Sequence, residues 1–275
     1  MRYETISLSV PGADAPAQLT AYVPDNTPQI GLDRRRPAII ICPGGGYGQV
    51  SDREAEPVAL RFLGLGYAAF VLWYHVAPQA RWPVPQRQLL AAIDYVRTGC
   101  EDYHVDPKAI IALGFSAGGH LAACGGTMWN RPEVYRCLKK KALAYRPDGL
   151  VLCYPVITSG DHSHMGSIQN LLGDRYEELL PLVSLERRVK SSTPPTFIWH
   201  TADDTVVDLE NTLLFETALK ARGVPVECHI YPHGAHGQSL ADRTCFPEKD
   251  LWRVSVPCAG WVTKCDAWIQ NTFMR

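Results

Sequence analysis

The chain alternates short apolar runs with longer stretches in which apolar residues recur every three or four positions. Runs such as "AIIICP" (38–43) and "GLVLCYP" (149–155) lack the every-other-residue rhythm of a half-exposed strand. Such runs suit strands covered on both faces. "YAAFVLWY" (67–74), "AIIALGF" (109–115), "PTFIWH" (195–200) and "VECHIYP" (226–232) complete a set of buried strands. "TISLSV" (5–10) and "LTAYV" (19–23) do alternate, which predicts an antiparallel hairpin at one edge. Between the runs, "REAEPVALRFLGLG", "VPQRQLLAAIDYVRTG", "ENTLLFETALKARG" and "CAGWVTKCDAWIQNTF" carry one-sided apolar stripes and read as helices. The pattern predicts an α/β three-layer sandwich around a central, mostly parallel, eight-stranded sheet. Residues 156–194 break the rhythm, being polar with short helical pieces, and read as a lid or cap insertion within a single domain over 1–275.

Composition narrows the function classes. A chain of 275 residues, 46% of them hydrophobic, can bury one large core. The formal net charge is −1, and no basic run exceeds three residues (Arg34–Arg36, Lys139–Lys141). That is not the footprint of a nucleic-acid or anionic-membrane binder. "MRYETISLSV" has no apolar leader pattern, so the expectation is a soluble, cytoplasmic protein. Nine scattered cysteines form no CxxC pair, which argues against a zinc ribbon or a thioredoxin motif and favours a reducing compartment.

"GFSAGG" places Ser116 at the end of one apolar run and the start of a helical stretch. A strand-to-helix reversal sharp enough to expose a serine hydroxyl crowds the residues two before and two after it. Gly114 and Gly118 occupy those positions. A helix N-cap is the competing reading, and the context favours a nucleophile. The helix starting at Ala117 directs unpaired N–H groups toward a developing oxyanion. "ICPGGGYGQV" (41–50), after the third strand, supplies further candidate donors in Gly45, Gly46 and Tyr47. It has neither the Lys-Ser/Thr ending of a phosphate loop nor a dinucleotide spacing.

A serine nucleophile needs a histidine base, and the histidine needs a carboxylate. "FIWHTADDTVVDLEN" (197–211) and "YPHGAHGQSL" (231–240) follow the next two strands in that order. Asp204 is preferred over Asp203 because D-x-x-V sets it three residues before Val207, which can anchor the loop. His236 is preferred over His233, which adjoins Pro232 and suits a turn. Among other polar residues, His120 reads as a hydrogen-bonded core histidine. His162 and His164 in "DHSH" lack further ligands at a recognised spacing, so neither a metal nor a cofactor is expected. Trp199 reads mainly as core but is close enough to the acid loop to line a pocket, and the stretch holding His164 and Ser167 reads as pocket lining or lid packing; the three are the candidate substrate contacts.

With these residues placed, the chain resembles the α/β-hydrolase esterases known as sugar or acetyl-xylan esterases, of the carbohydrate-acetylesterase branch. Some of these carry the label xylanase. The stretches that carry the resemblance are "CPGGGYG", "GFSAGGHLAA", "YPVITSGDHSHMGSIQNLLG", "TPPTFIWHTADDTVVDLEN" and "YPHGAHGQSLA". The resemblance implies the triad Ser116, Asp204 and His236, and an oxyanion hole from Gly45, Gly46 or Tyr47 with the Ala117 N–H. It also implies removal of O-acetyl groups from sugars or short xylo-oligosaccharides. Two departures stand out. Asp208 follows Val207 where the family has proline, and Pro43 stands where the lipase-like esterases carry the histidine of HGGG. Glycoside hydrolysis needs two carboxylates across the scissile bond, and these motifs supply acyl-transfer chemistry instead. Rival readings are a prolyl-oligopeptidase-like peptidase, or a non-catalytic binding module on the same scaffold. The expected partner is a small ester, and the edge hairpin offers a surface on which two copies could pair as a homodimer.

Overall fold

The apolar runs form β1 (Arg2–Leu8), β2 (Ala17–Val23), β3 (Arg36–Cys42), β4 (Ala68–Trp73), β5 (Val105–Phe115), β6 (Gly149–Cys153), β7 (Thr196–Thr201) and β8 (Val226–Tyr231). The computed structural model describes residues 1–274. The strands make one sheet in the order β1-β2-β4-β3-β5-β6-β7-β8. β2 runs antiparallel to both β1 and β4, and the remaining neighbours are parallel. β5 starts earlier than its apolar run, because Val105 pairs with Arg36 across a register shift.

The helices are α1 (Glu56–Gly64), α2 (Val84–Thr98), α3 (Ala117–Met128), α4 (Pro132–Tyr135), α5 (Met165–Leu172), α6 (Tyr176–Leu179), α7 (Glu210–Ala221), α8 (Val256–Ala259) and α9 (Trp261–Phe273). Strand periodicity divides the interior into two cores. Along β3, Ala38, Ile40 and Cys42 join α2, α3 and α7 on one face, while Ile39 and Ile41 join α1 and α9 on the other. α3 is buried all round and is built largely of Gly and Ala. A Cβ at Gly126 would lie 2.5 Å from Leu150 Cδ1, and one at Gly125 would lie 2.9 Å from Leu89 Cδ2. The small side chains let this helix sit close to both the sheet and α2.

Residues 156–194, polar in composition, also carry apolar positions that pack inward. Val156, Ile157, Ile168, Leu171, Leu172, Val183 and Leu185 are buried in the same core as α2 and α3. The polar positions cover the outside of a segment whose apolar side chains are packed inward. Among the described residues, no helix is long and apolar enough to cross a membrane. All nine cysteines are free thiols. Because β3 and β5 to β8 run parallel, the loops leaving their carboxyl ends gather along one edge of the sheet.

Candidate active site

Ser116 occupies that edge between β5 and α3, with φ 53° and ψ −119°. This conformation is costly for a residue with a Cβ and is held by its surroundings. The Ser116 N–H donates to Cys153 O (3.0 Å), and Ser116 O accepts from the N–H of His120 (3.1 Å) and of Val156 (3.0 Å). The flanking glycines are steric necessities. A Cβ at Gly114 would lie 2.1 Å from Gly118 O, and one at Gly118 would lie 2.1 Å from Cys42 O.

The hydroxyl of Ser116 donates to His236 Nε2 (2.9 Å), and His236 Nδ1–H donates to Asp204 Oδ2 (2.7 Å). The Asp204 side chain is wholly buried, whereas that of His236 is 15% exposed. The other carboxylate oxygen, Oδ1, accepts from the N–H groups of Val206 (2.8 Å) and Val207 (3.0 Å). The spacing that singled out Asp204 is therefore that of a local side-chain-to-backbone turn. His200 Nε2 also lies 3.3 Å from Asp204 Oδ2. Burial alone would push the Asp204 carboxyl up, yet hydrogen bonds from His200 and His236 hold it well below the ordinary carboxylate range.

The rejected neighbours form a second pair. His233 Nδ1 lies 3.1 Å from Asp203 Oδ2, and Asp203 Oδ1 accepts the Gly234 N–H (2.8 Å). This pair is open to solvent and pins the acid loop to the histidine loop. Asp208 brings rigidity by hydrogen bonding rather than by a ring. Its Oδ1 accepts the Glu210 N–H (3.0 Å), and its Oδ2 holds His162 Nδ1 (2.6 Å). His120 is a core residue, pushed down to about 4 by burial, with Tyr47 Oη on Nδ1 (2.9 Å) and Val183 O on Nε2 (2.9 Å).

A cavity of about 200 Å³ contains Ser116 and His236, with Gly45, Gly46, Gln49, Glu54 and His164 in its walls. Among the described residues, no acceptor takes the backbone N–H of Gly45, Gly46, Tyr47 or Ala117. Gly45 and Gly46 line the cavity, whereas neither Tyr47 nor Ala117 is part of its wall. Two expected substrate contacts are corrected. Trp199 is fully buried and stacks on Trp261 (5.7 Å), so it belongs to the core between the sheet and α9. Ser167 is also fully buried, and its Oγ lies 2.8 Å from His164 Nδ1. It orients His164, which alone of the three reaches the cavity.

A family model described as BD-FAE matches residues 22–219, a span from β2 into α7. The chain belongs to the BD-FAE family. That BD-FAE span includes the glycine loop, Ser116 and Asp204, and His236 lies beyond it. The fold is that of the α/β hydrolases. Endo-1,4-beta-xylanase B of Butyrivibrio fibrisolvens is 36% identical over 219 residues, covering 78% of this BD-FAE chain and 34% of that protein. An acetylxylan esterase of Xylanibacter ruminicola is 30% identical over 231 residues, covering 82% of this chain and 44% of that one. The chain thus spans less than half the length of these curated relatives. The crystal structure of an acetyl ester-xyloside bifunctional hydrolase from Caldicellulosiruptor lactoaceticus superposes with a TM-score of 0.81 at 37% identity, over 98% of this chain and 96% of that one.

Four residues of this BD-FAE site escape notice in the sequence. Glu54 is buried, and its Oε2 accepts the Gly44 N–H (2.7 Å) while its Oε1 accepts the Tyr154 hydroxyl (2.7 Å). Tyr154 Oη in turn accepts the Ser239 N–H (2.7 Å), and its ring meets His236 edge-on at 5.1 Å. One carboxylate therefore links the glycine loop, the end of β6 and the histidine loop. Arg53 Nη1 donates to Gly237 O (3.0 Å), and Arg253 donates to His236 O. Both guanidinium groups lie over the ring of Phe246. The charged stretch "SDREAEP" gives no sign of this, since alternating charge before a helix ordinarily reads as a solvated N-terminus.

Proposed function

We propose that the protein is a serine carboxylesterase that removes O-acetyl groups from sugars or short xylo-oligosaccharides. The observation that carries this reading is the continuous hydrogen-bonded line from Ser116 through His236 to buried Asp204. His236 Nε2 takes the Ser116 proton as Oγ bonds to the ester carbonyl carbon, and the imidazolium is stabilised by Asp204. Free N–H groups of Gly45, Gly46 or Tyr47 with Ala117 receive the oxyanion of the tetrahedral intermediate. His236 then passes its proton to the departing sugar oxygen as the carbon–oxygen bond breaks. Water, deprotonated by the same histidine, attacks the acyl-enzyme and frees acetate.

The cavity supports a short acyl group and a polar alcohol. Its volume of about 200 Å³ leaves little space for a long chain, and Gln49, Ser51, Arg53 and His164 line it with polar groups. The deciding experiment compares 4-nitrophenyl acetate with butyrate and octanoate esters, and measures acetate release from acetylated xylo-oligosaccharides. The expected result is a fall in kcat/KM of about tenfold or more from acetate to octanoate, with acetate released from the sugars. Preference for octanoate would overturn the short-acyl assignment.

Glu54 tests the geometry behind this chemistry. Glutamine keeps its size but must turn an amide N–H₂ toward either the Gly44 N–H or Tyr154. Leaving a buried polar group unpaired costs about 1–3 kcal/mol. Glu54→Gln is expected to lower kcat on 4-nitrophenyl acetate by about tenfold or more with KM little changed. Steady-state kinetics checks this, and a wild-type kcat would show that the carboxylate is dispensable.

A further inference from the structure

The short turn Asp52–Glu54 borders two cavities. Ser51, Arg53 and Glu54 line the one that holds Ser116 and His236. Asp52 and Arg53, with Glu56 at the start of α1, line a second cavity of about 540 Å³. The sheet supplies Tyr3 of β1, Tyr22 of β2 and Trp73 at the carboxyl end of β4 to the same cleft. Arg53, common to both walls, sets the cleft beside the catalytic cavity.

The chemistry of this wall is specific. Trp73 Nε1 donates to Thr20 Oγ1 (3.1 Å), which fixes the indole in place. Tyr3 is 60% exposed, and its ring meets Tyr22 edge-on at 5.2 Å. The Tyr22 hydroxyl donates to Glu56 Oε1 (3.2 Å), leaving Oε2 available, and among the described residues the Asp52 carboxylate accepts no side-chain hydrogen bond. A pyranose ring has apolar C–H faces that pack on aromatic rings and a rim of hydroxyls that donate to carboxylates. Two carboxylates stand against a single guanidinium whose Nη1 is already given to Gly237 O. That balance favours a neutral sugar over an acidic one. The volume lies within the range of small-molecule sites, about 300–1,000 Å³.

We propose that this cleft is a glycan subsite, which takes neutral sugar residues of an oligosaccharide while its acetyl group is held at Ser116. The inference rests on the sugar-ester reading above and adds where the rest of the sugar chain lies. Tyr3→Ala, Asp52→Asn and the double variant are compared with wild type on 4-nitrophenyl acetate and on acetylated xylotriose. The double variant is expected to lose about five- to tenfold in kcat/KM on the trisaccharide, through KM, at an unchanged rate on the small ester. An unchanged trisaccharide rate, or an equal loss on both esters, overturns the subsite. A wild-type enzyme that cleaves 4-nitrophenyl acetate but frees no acetate from any acetylated sugar overturns the sugar-ester reading instead, and the subsite with it.

Discussion

Ser116→Ala is expected to lower kcat on 4-nitrophenyl acetate by about 10⁴-fold or more, with the fold intact. The hydroxyl has one partner, His236 Nε2, and no other hydroxyl or thiol lines the cavity except that of Ser51. A residual rate would come from the free backbone N–H groups alone. The same position allows a control that separates chemistry from strain. At φ 53° and ψ −119° a Cβ is disfavoured, and glycine adopts this backbone freely. Ser116→Gly should therefore be as inactive as the alanine variant yet more stable than it, by about 1 kcal/mol in chemical denaturation. Near-wild-type activity in either variant would remove Ser116 from the reaction.

Asp204→Asn is the second large effect, about 10⁴-fold in kcat. An amide at this site can turn its N–H₂ toward His236, which would favour the tautomer with hydrogen on Nε2 and leave Ser116 without an acceptor. The substitution also alters stability in a pH-dependent way. The Asp204 carboxyl is held below its unfolded value, so it stabilises the native state above the unfolded carboxyl pKa of about 4. That contribution disappears as pH falls through the lower native value. The stability gap between wild type and Asp204→Asn should be largest near neutral pH and should narrow under acid conditions, as followed by denaturant unfolding across pH.

The sheet was legible because its buried strands are short, unbroken apolar runs separated by capped, one-sided helices. The order of the candidate triad was legible for a related reason, since Ser116, Asp204 and His236 each sit just past such a run. The choice of Asp204 followed from a local bond to Val207, which three-residue spacing can reveal. Trp199 reads mainly as core, but β7 is buried on both faces, so its sequence does not show which core each side chain enters or rule out the pocket. Ser167 was misplaced because its role depends on His164 one helical turn earlier, not on the cavity. Glu54 could not be found at all: its burial depends on Tyr154, which the sheet brings to it from 100 residues away.

The insertion has a bearing on how this scaffold can be re-engineered. Asn170 of α5 donates to Gly46 O (2.9 Å), while Asn211 of α7 holds the N–H groups of Ile157 (2.8 Å) and Thr158 (3.0 Å) and the carbonyl of His162 (2.9 Å). The segment is thus bolted to the glycine loop at one point and to the helix behind the acid loop at another. Swinging it outward would break the bond from Asn170 to the Gly46–Tyr47 peptide. Grafting a longer or shorter segment from another esterase would succeed only if Asn170 and Gly46 were exchanged as a matched pair. On the esterase reading proposed above, the wall of the cavity and the position of the glycine loop are therefore inherited together.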